Sequence, residues 1–423
     1  MSQSVRDGQA HSAWVAWLMS PIGTAIVALG ITQIIAWGTT LYALGVLAAP
    51  IAADTGWSRS LVFSGLTVGL LVSGFVSTAV GKAIDERGGQ LVMSLGSVLC
   101  AVSLLIVAAA SNEIAYLAGW AIMGLGMRMS LYDAAFAALV QVAPHRGRRA
   151  ISYLTLFGGF ASSIFWPIGH ILTAEVGWRL TLVIYAAINI AVCLPLHWCG
   201  LSRREPAESR TAETSSAAAS PGVTDPPLEG QARLLAMVLF GFVMAASAFV
   251  FGAMAVHLPA VLEASGLTAA AAVTLASLKG VAQVAGRVCE ILFGKRLHAI
   301  DLGRISIAGM PLGFVVLMAG GASYSAAFLF IVFFGVANGL VTIVRGALPL
   351  ALFGPRGYGT VLGILATPYL LMNALAPAAL AVIVDLWGYG VAEAVLLAVG
   401  LLSAGAMEVM GIWYRRRRAN QAA

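Results

Sequence analysis

Twelve long apolar stretches set the limits on what this chain can fold into. They fall at about 22–52, 59–80, 90–110, 115–142, 149–173, 178–200, 234–262, 268–293, 301–320, 324–346, 357–384 and 388–413. A helix needs about 20 apolar residues to cross a hydrocarbon core of about 30 Å. In a chain of 423 residues that is 60% apolar and only 10% charged, this pattern excludes a soluble globule, where about 25% of residues are charged. It also excludes disorder, which needs low hydrophobicity and high net charge. Too little chain lies outside the stretches for a soluble catalytic domain.

The scarce charge is sorted along the chain. Of 24 Lys and Arg, 18 fall in one alternating set of loops and tails: Arg6, Lys82, Arg87, Arg146, Arg148, Arg149, Arg203, Arg204, Arg210, Arg233, Lys295, Arg296, Arg304, Arg356 and Arg415 to Arg418. Only Arg59 and Arg179 fall in the opposite set. An excess of cations on one side marks the cytoplasmic face. The net charge of +6 is therefore read as topology and not as a nucleic-acid footprint. Both termini and the central loop are expected in the cytoplasm, with the chain in a plasma membrane, the inner membrane of a bacterium. No basic n-region or small-residue cleavage site precedes the first stretch, so no cleaved signal peptide is expected. The four cysteines (Cys100, Cys193, Cys199, Cys289) lie singly in apolar runs, which supports neither zinc nor a disulfide framework. No metal or cofactor is expected.

One stretch breaks the apolar rhythm. Ser202–Arg233 is polar and rich in Pro, Ser, Ala and Glu, the composition of a flexible linker. It divides the chain into a tail (1–21), a six-helix bundle (22–200), a cytoplasmic linker (201–233), a second six-helix bundle (234–413) and a basic tail (414–423). The halves echo each other at a nearly constant offset of half the chain. Thr55-Gly56-Trp57-Ser58 corresponds to Ser265-Gly266-Leu267-Thr268, Pro50 to Pro259, and Gly81-Lys82 to Gly294-Lys295. LYDAAFAAL corresponds to IVRGALPLA, which sets Arg345 in the place of Asp133. The expected fold is an all-α membrane protein of twelve transmembrane helices in two pseudo-symmetric six-helix bundles. Parallel repeats of this kind hold substrate near the bilayer midplane and work by alternating access.

The stretch after the second apolar segment reads as a charged loop, G-K-A-I-D-E-R-G-G-Q, with Gly81, Asp85 and Gly88. It resembles the signature of the major facilitator superfamily: a Gly, an Asp four residues on and a Gly three further, with basic residues between. Glu86 stands where a basic residue usually follows the Asp, and Arg87 comes next. The resemblance implies a gate of Gly81, Asp85, Arg87 and Gly88, with Asp85 on basic groups or a helix N-terminus. Arg345 is assigned to the same gating set.

Ionisable groups inside spans are expensive and mark function by default. Lys279, Gln283 and Arg287 are spaced i, i+4, i+8, which makes one helical stripe. Glu290, three residues beyond Arg287, is within pairing reach. The run Gly280 to Arg287 resembles a span of the monocarboxylate porters, where an acid and an Arg four apart line the substrate path. Gln283 replaces that acid. The resemblance implies that Arg287 grips a substrate carboxylate, chemistry that suits a guanidinium.

The first span offers Gln33, Trp37, Thr40 and Tyr42, in a segment that resembles the first span of the same porters. Tyr42 falls where many members carry a lysine. In the fourth span Arg128 shares a face with Tyr132. Asp133 lies about 140° around a continuous helix from Arg128, so a simple pair within that helix is not expected. Asp133 must then find another partner or be protonated. Asp133 and Glu290 are the candidate proton carriers. Trp166, Asn338, Tyr369 and Asn373 complete the expected substrate-binding set. Gly158-Gly159 and Trp166-Pro167-Ile168-Gly169 partly resemble the glycine–proline motif of drug antiporters.

Four intramembrane cations (Arg128, Lys279, Arg287, Arg345) against Asp133 and Glu290 give an excess of +2, which favours an anion. The expected function is secondary transport of a small organic anion, a monocarboxylate, with a proton as the candidate coupling ion and a functional monomer in the lipid bilayer. A drug or metabolite exporter of the same fold is one alternative, and a membrane sensor that binds an anion without moving it is another. No enzyme is expected, because no catalytic or nucleotide-binding motif is present.

Overall fold

The computed structural model describes residues 16–144, 146–205, 226–294 and 297–422. Most of the expected linker, the expected tail up to residue 15, and Arg6, Arg210, Lys295 and Arg296 lie outside these residues. Among the described residues every regular element is a helix. The first bundle's sequence gives α1 (Pro21–Thr39), α2 (Leu44–Thr55), α3 (Arg59–Arg87), α4 (Gly89–Ala109), α5 (Glu113–Ser130) and α6 (Tyr132–Val142). It continues with α7 (Gly147–Gly159), α8 (Ala161–Ile188), a π-helical turn at Asn189–Cys193, and α9 (Leu194–Gly200). The second gives α10 (Gly230–Ala264), α11 (Ala269–Phe293), α12 (Ala299–Gly320), α13 (Tyr324–Phe353) and α14 (Tyr358–Ala422).

These helices make ten apolar stretches long enough to cross a membrane. Two of the ten are double. Gly177 (φ 78°, ψ 164°) interrupts α8, and Gly388 (φ 79°, ψ 173°) interrupts α14. That region of backbone space is open essentially to glycine alone. Each glycine therefore turns the chain between two spans, and the described residues hold twelve spans in all.

The repeat recurs in the helix ends. The Ser58 hydroxyl accepts the Leu61 N–H at 3.2 Å, and at the matching place in the second half Thr268 accepts the Ala271 N–H at 3.3 Å. Asn112 caps α5 through the Ala115 N–H, and Ser323 caps α13 through the Ala326 N–H. Such caps satisfy amides that have no partner inside the helix.

Several spans are less regular than their apolar runs suggest. The first is two helices, α1 and α2, because Thr39 and Thr40 turn their hydroxyls onto the carbonyls of Ile35 and Ala36 where α1 ends. The fourth breaks at Leu131, whose backbone is extended (φ −82°, ψ −172°). The fifth breaks at Phe160. The charged stretch after the second span is not a loop. It is the last turns of α3, supported by a Lys82–Glu86 ion pair of 3.6 Å one turn apart, and it ends at Gly88 with φ 90°.

The chain forms two compact units. Of the described residues, the first takes those in Met1–Gly69, Ala79–Ala218 and Gly357–Thr360; the second takes those in Leu70–Thr78, Ala219–Arg356 and Val361–Ala423. Small residues let helices approach within the first unit: a Cβ on Gly124 of α5 would strike the Gly69 carbonyl of α3. In the second unit Gly335 and Gly339 of α13 lie against the backbone of α11 at Lys279 and Gln283. Such stripes replace the hydrophobic drive that lipid cannot supply. An aromatic cluster, Phe251, Phe314, Phe330 and Phe334, fills the second unit's core with centroid spacings of 5.1–6.0 Å. The polar stretch after α9 does not leave the first unit at once: Glu205 donates its N–H to the Val142 carbonyl at 2.9 Å and pairs with Arg146 at 3.8 Å.

Candidate functional site

In the first unit the break at Leu131 organises the polar groups. It places Asp133 in the first turn of α6 while Arg128 stays in the last turn of α5. Arg128 Nη1 and Asp133 Oδ2 lie 3.9 Å apart, both buried. A simple pair within one helix is not expected from the spacing, and the pair forms across the break instead: the wide angular separation holds only along an unbroken helix. The break also leaves the Ser130 carbonyl outside the helical ladder, and Gln33 Nε2 of α1 donates to it at 2.7 Å.

From Gln33 an aromatic ladder begins. Its Oε1 accepts the Trp37 indole N–H at 3.2 Å. The Trp37 ring packs against Tyr132 at 5.2 Å and Tyr42 at 5.9 Å, and Tyr42 meets Trp166 edge-on at 6.2 Å. Tyr132 donates its hydroxyl to the Thr155 carbonyl at 3.2 Å and packs on Gly158. Four of the expected binding residues, Trp37, Tyr42, Tyr132 and Trp166, thus form one continuous wall. Trp166 is half exposed at its far end. Thr40 is fully buried, and its hydroxyl donates to the Ala36 carbonyl at 2.6 Å.

The gating residues occupy the end of α3. Asp85 caps the start of α14, accepting the N–H groups of Gly359 at 2.9 Å and Thr360 at 2.7 Å and the Thr360 hydroxyl at 2.6 Å. A carboxylate here meets both the unpaired amides and the positive end of the helix dipole. A Cβ on Gly359 would lie 2.6 Å from the Gly81 carbonyl and 2.7 Å from Asp85 Oδ1, so only glycine fits. Arg87 is exposed.

In the second unit α11 is unbroken, and Lys279, Gln283 and Arg287 keep one stripe. Arg287 is buried, and it donates from Nε to the Gly339 carbonyl at 3.4 Å and from Nη2 to the Thr342 hydroxyl at 3.3 Å. Thr342 in turn donates to the Asn338 carbonyl at 3.0 Å. Glu290 is buried one turn beyond Arg287. Arg345, on the same α13 face, stacks its guanidinium 4.6 Å over the Tyr369 ring of α14. Asn373, one turn beyond Tyr369, lies against Gly252 of α10. Arg287, Asn338, Arg345 and Tyr369 are thereby brought together through Thr342 and α13. His257 donates away from this group, to the Pro377 carbonyl at 3.0 Å.

Two buried ionisable residues escaped the sequence reading. Glu393 is 8% exposed with the Ser265 hydroxyl 3.5 Å away. Its signal was there, a lone acid in an apolar stretch. Counting it narrows the positive excess from two to one. Because Arg128 and Asp133 offset each other, that excess resides in the second unit, in Lys279, Arg287 and Arg345. His197 is fully buried, with Nδ1 2.8 Å from the Ser97 hydroxyl and Nε2 2.9 Å from that of Thr32. Nothing in its local sequence marks it. Among the described residues no group of three His, Cys, Asp or Glu could hold a metal ion.

The profile of the Major Facilitator Superfamily matches residues 26–321, well over half of the chain. The chain belongs to this superfamily. Members are transporters, and this one is an integral membrane protein. Two solved facilitator structures share its fold. The human organic anion transporter MFSD10 (TETRAN) is 17% identical with a TM-score of 0.68, covering 91% of this chain and 98% of that one. The proton:xylose symporter XylE, bound to 6-bromo-6-deoxy-D-glucose, is 16% identical with a TM-score of 0.67, covering 93% and 95%. No curated protein sequence matches the chain.

Proposed function

We propose that this facilitator carries a small organic monoanion, a monocarboxylate, across a bacterial inner membrane by alternating access, with a proton as the coupling ion. The observation that carries the reading is Arg287. It is a buried guanidinium on an unbroken polar stripe, and its bonds to the Gly339 carbonyl and the Thr342 hydroxyl, 3.4 and 3.3 Å, are long enough to yield to a carboxylate. A charge-assisted pair is about twice as strong as a neutral one and can be bidentate. Lys279 extends the stripe, and Arg345, assigned to the gate from the sequence, stacks over Tyr369 and adds to the positive charge of this unit. Within the first unit, Trp37, Tyr42, Tyr132 and Trp166 remain the proposed aromatic contacts, of a kind that suits an organic body.

Asp133 is the proposed proton carrier. A carboxylate paired with a guanidinium at 3.9 Å can take up a proton as that pair opens and release it as the pair closes. Glu290 is the second candidate. Asp85, Gly359 and the end of α3 form the proposed gate, opening by release of the α14 cap. An organic anion transporter among the structural neighbours agrees with this substrate class, although identity of 17% carries the fold alone. Uptake of labelled small carboxylates into proteoliposomes under an imposed pH gradient tests the reading. Saturable, gradient-driven accumulation is expected. The aromatic wall favours a second reading, export of amphipathic compounds; outward transport of neutral or cationic compounds, with no carboxylate uptake, would establish it instead.

A further inference from the structure

The last helix is longer than a membrane is thick, and its far end is two-faced. After Gly388 the chain runs as helix to Ala422. A hydrocarbon core takes up about 20 residues, which brings the boundary near Val409. Val409 and Ile412 are about half exposed, and Trp413 beside them is of the type that settles at membrane interfaces. Arg416 and Arg417 follow one to two turns later, at the depth of the phosphates.

The four arginines of this end divide their work. Arg415 pairs with Asp301, which with Glu408 also holds Arg304, so this corner of the unit is closed by charge. Arg418 stacks on Tyr414 at 5.5 Å and donates to its hydroxyl at 3.3 Å. Arg416 and Arg417 point the other way. With Asn420 and Gln421 they line an open, shallow groove of about 610 Å³ along one face of this single helix, whose lower end is Val409, Ile412 and Trp413. Among the described residues no acid lies on either of them. An apolar lower wall under two cations fits an amphiphile with an anionic head.

We propose that this groove binds an anionic phospholipid, its phosphate on Arg416 and Arg417 and an acyl chain along Val409 and Ile412. The full chain, delipidated in detergent, is titrated with phosphatidylglycerol, phosphatidylcholine or glycerol 1-phosphate, and binding is read by native mass spectrometry. Phosphatidylglycerol should bind on the order of tenfold more tightly than phosphatidylcholine. Arg416→Gln with Arg417→Gln should remove most of that preference and leave the lipid-free melting temperature unchanged. The same pair changed to Lys should retain it, since a point charge still holds a phosphate. Equal binding of the two lipids by the native chain, an undiminished preference in the Gln variant, or glycerol 1-phosphate binding as well as the lipid would each overturn the site.

Discussion

Arg128 and Asp133 form an ion pair across a helix break, 3.9 Å apart and both buried. Removing one partner of a buried pair strands the other charge, at about 3–5 kcal/mol. Arg128→Ala alone should therefore lower thermal stability sharply, whereas Arg128→Met combined with Asp133→Leu should recover most of it. Melting curves of the two variants in one detergent check this. The coupling role has its own readout. Asp133→Asn should keep substrate counterflow and lose accumulation driven by pH, and normal pH-driven accumulation would remove Asp133 from the proton path.

Asp85 ties the end of α3 to the first turn of α14 through three hydrogen bonds. Asp85→Ala frees two amides and a hydroxyl and gives up the dipole interaction, a loss of about 1–2 kcal/mol. Gly359→Ala should do at least as much harm with no change in charge, because its methyl group has no room beside the Gly81 carbonyl. If the contact is a gate, both variants should transport more slowly at unchanged substrate affinity, which an initial-rate series separates from simple misfolding.

Gly177 and Gly388 sit at matching places in the two halves, in nearly the same backbone conformation. Changing either to Ala forces a side chain into a glycine region, at about 1–3 kcal/mol. A Cβ at either site meets nothing within 4 Å, so the whole effect should be backbone strain. Equal drops in melting temperature for the two variants are expected.

The caps at Ser58 and Thr268 explain why the repeat could be read from the chain, and the two glycines follow the same repeat although their sequence did not single them out. Turn and cap chemistry is local, so an internal repeat copies it and a single sequence displays it twice. The stripe of Lys279, Gln283 and Arg287 was legible for a related reason: α11 keeps its period from end to end. The break at Leu131 was not. No Pro or Gly marks it, and the apolar period runs straight through. What accommodates it is Gln33, far earlier in the chain, taking the Ser130 carbonyl. The pairing of Arg128 with Asp133 occurs across that break, so spacing counted along a continuous helix pointed the wrong way. His197 was hidden likewise, since its partners Ser97 and Thr32 come from other helices.

Arg287 offers the sharpest functional test. Its bonds to the Gly339 carbonyl and the Thr342 hydroxyl orient the guanidinium on the α11 stripe. Arg287→Ala should abolish carboxylate uptake. Arg287→Lys keeps the charge but loses the planar fork, and should reduce uptake at low substrate concentration by about tenfold or more. Thr342→Val should be milder, because it removes one orienting contact and leaves the cation. A graded series, Thr342→Val above Arg287→Lys above Arg287→Ala, is expected in the ratio of maximal rate to half-saturation. Unchanged uptake in Arg287→Ala would move the anion site elsewhere, with Arg345 over Tyr369 as the next residue to change.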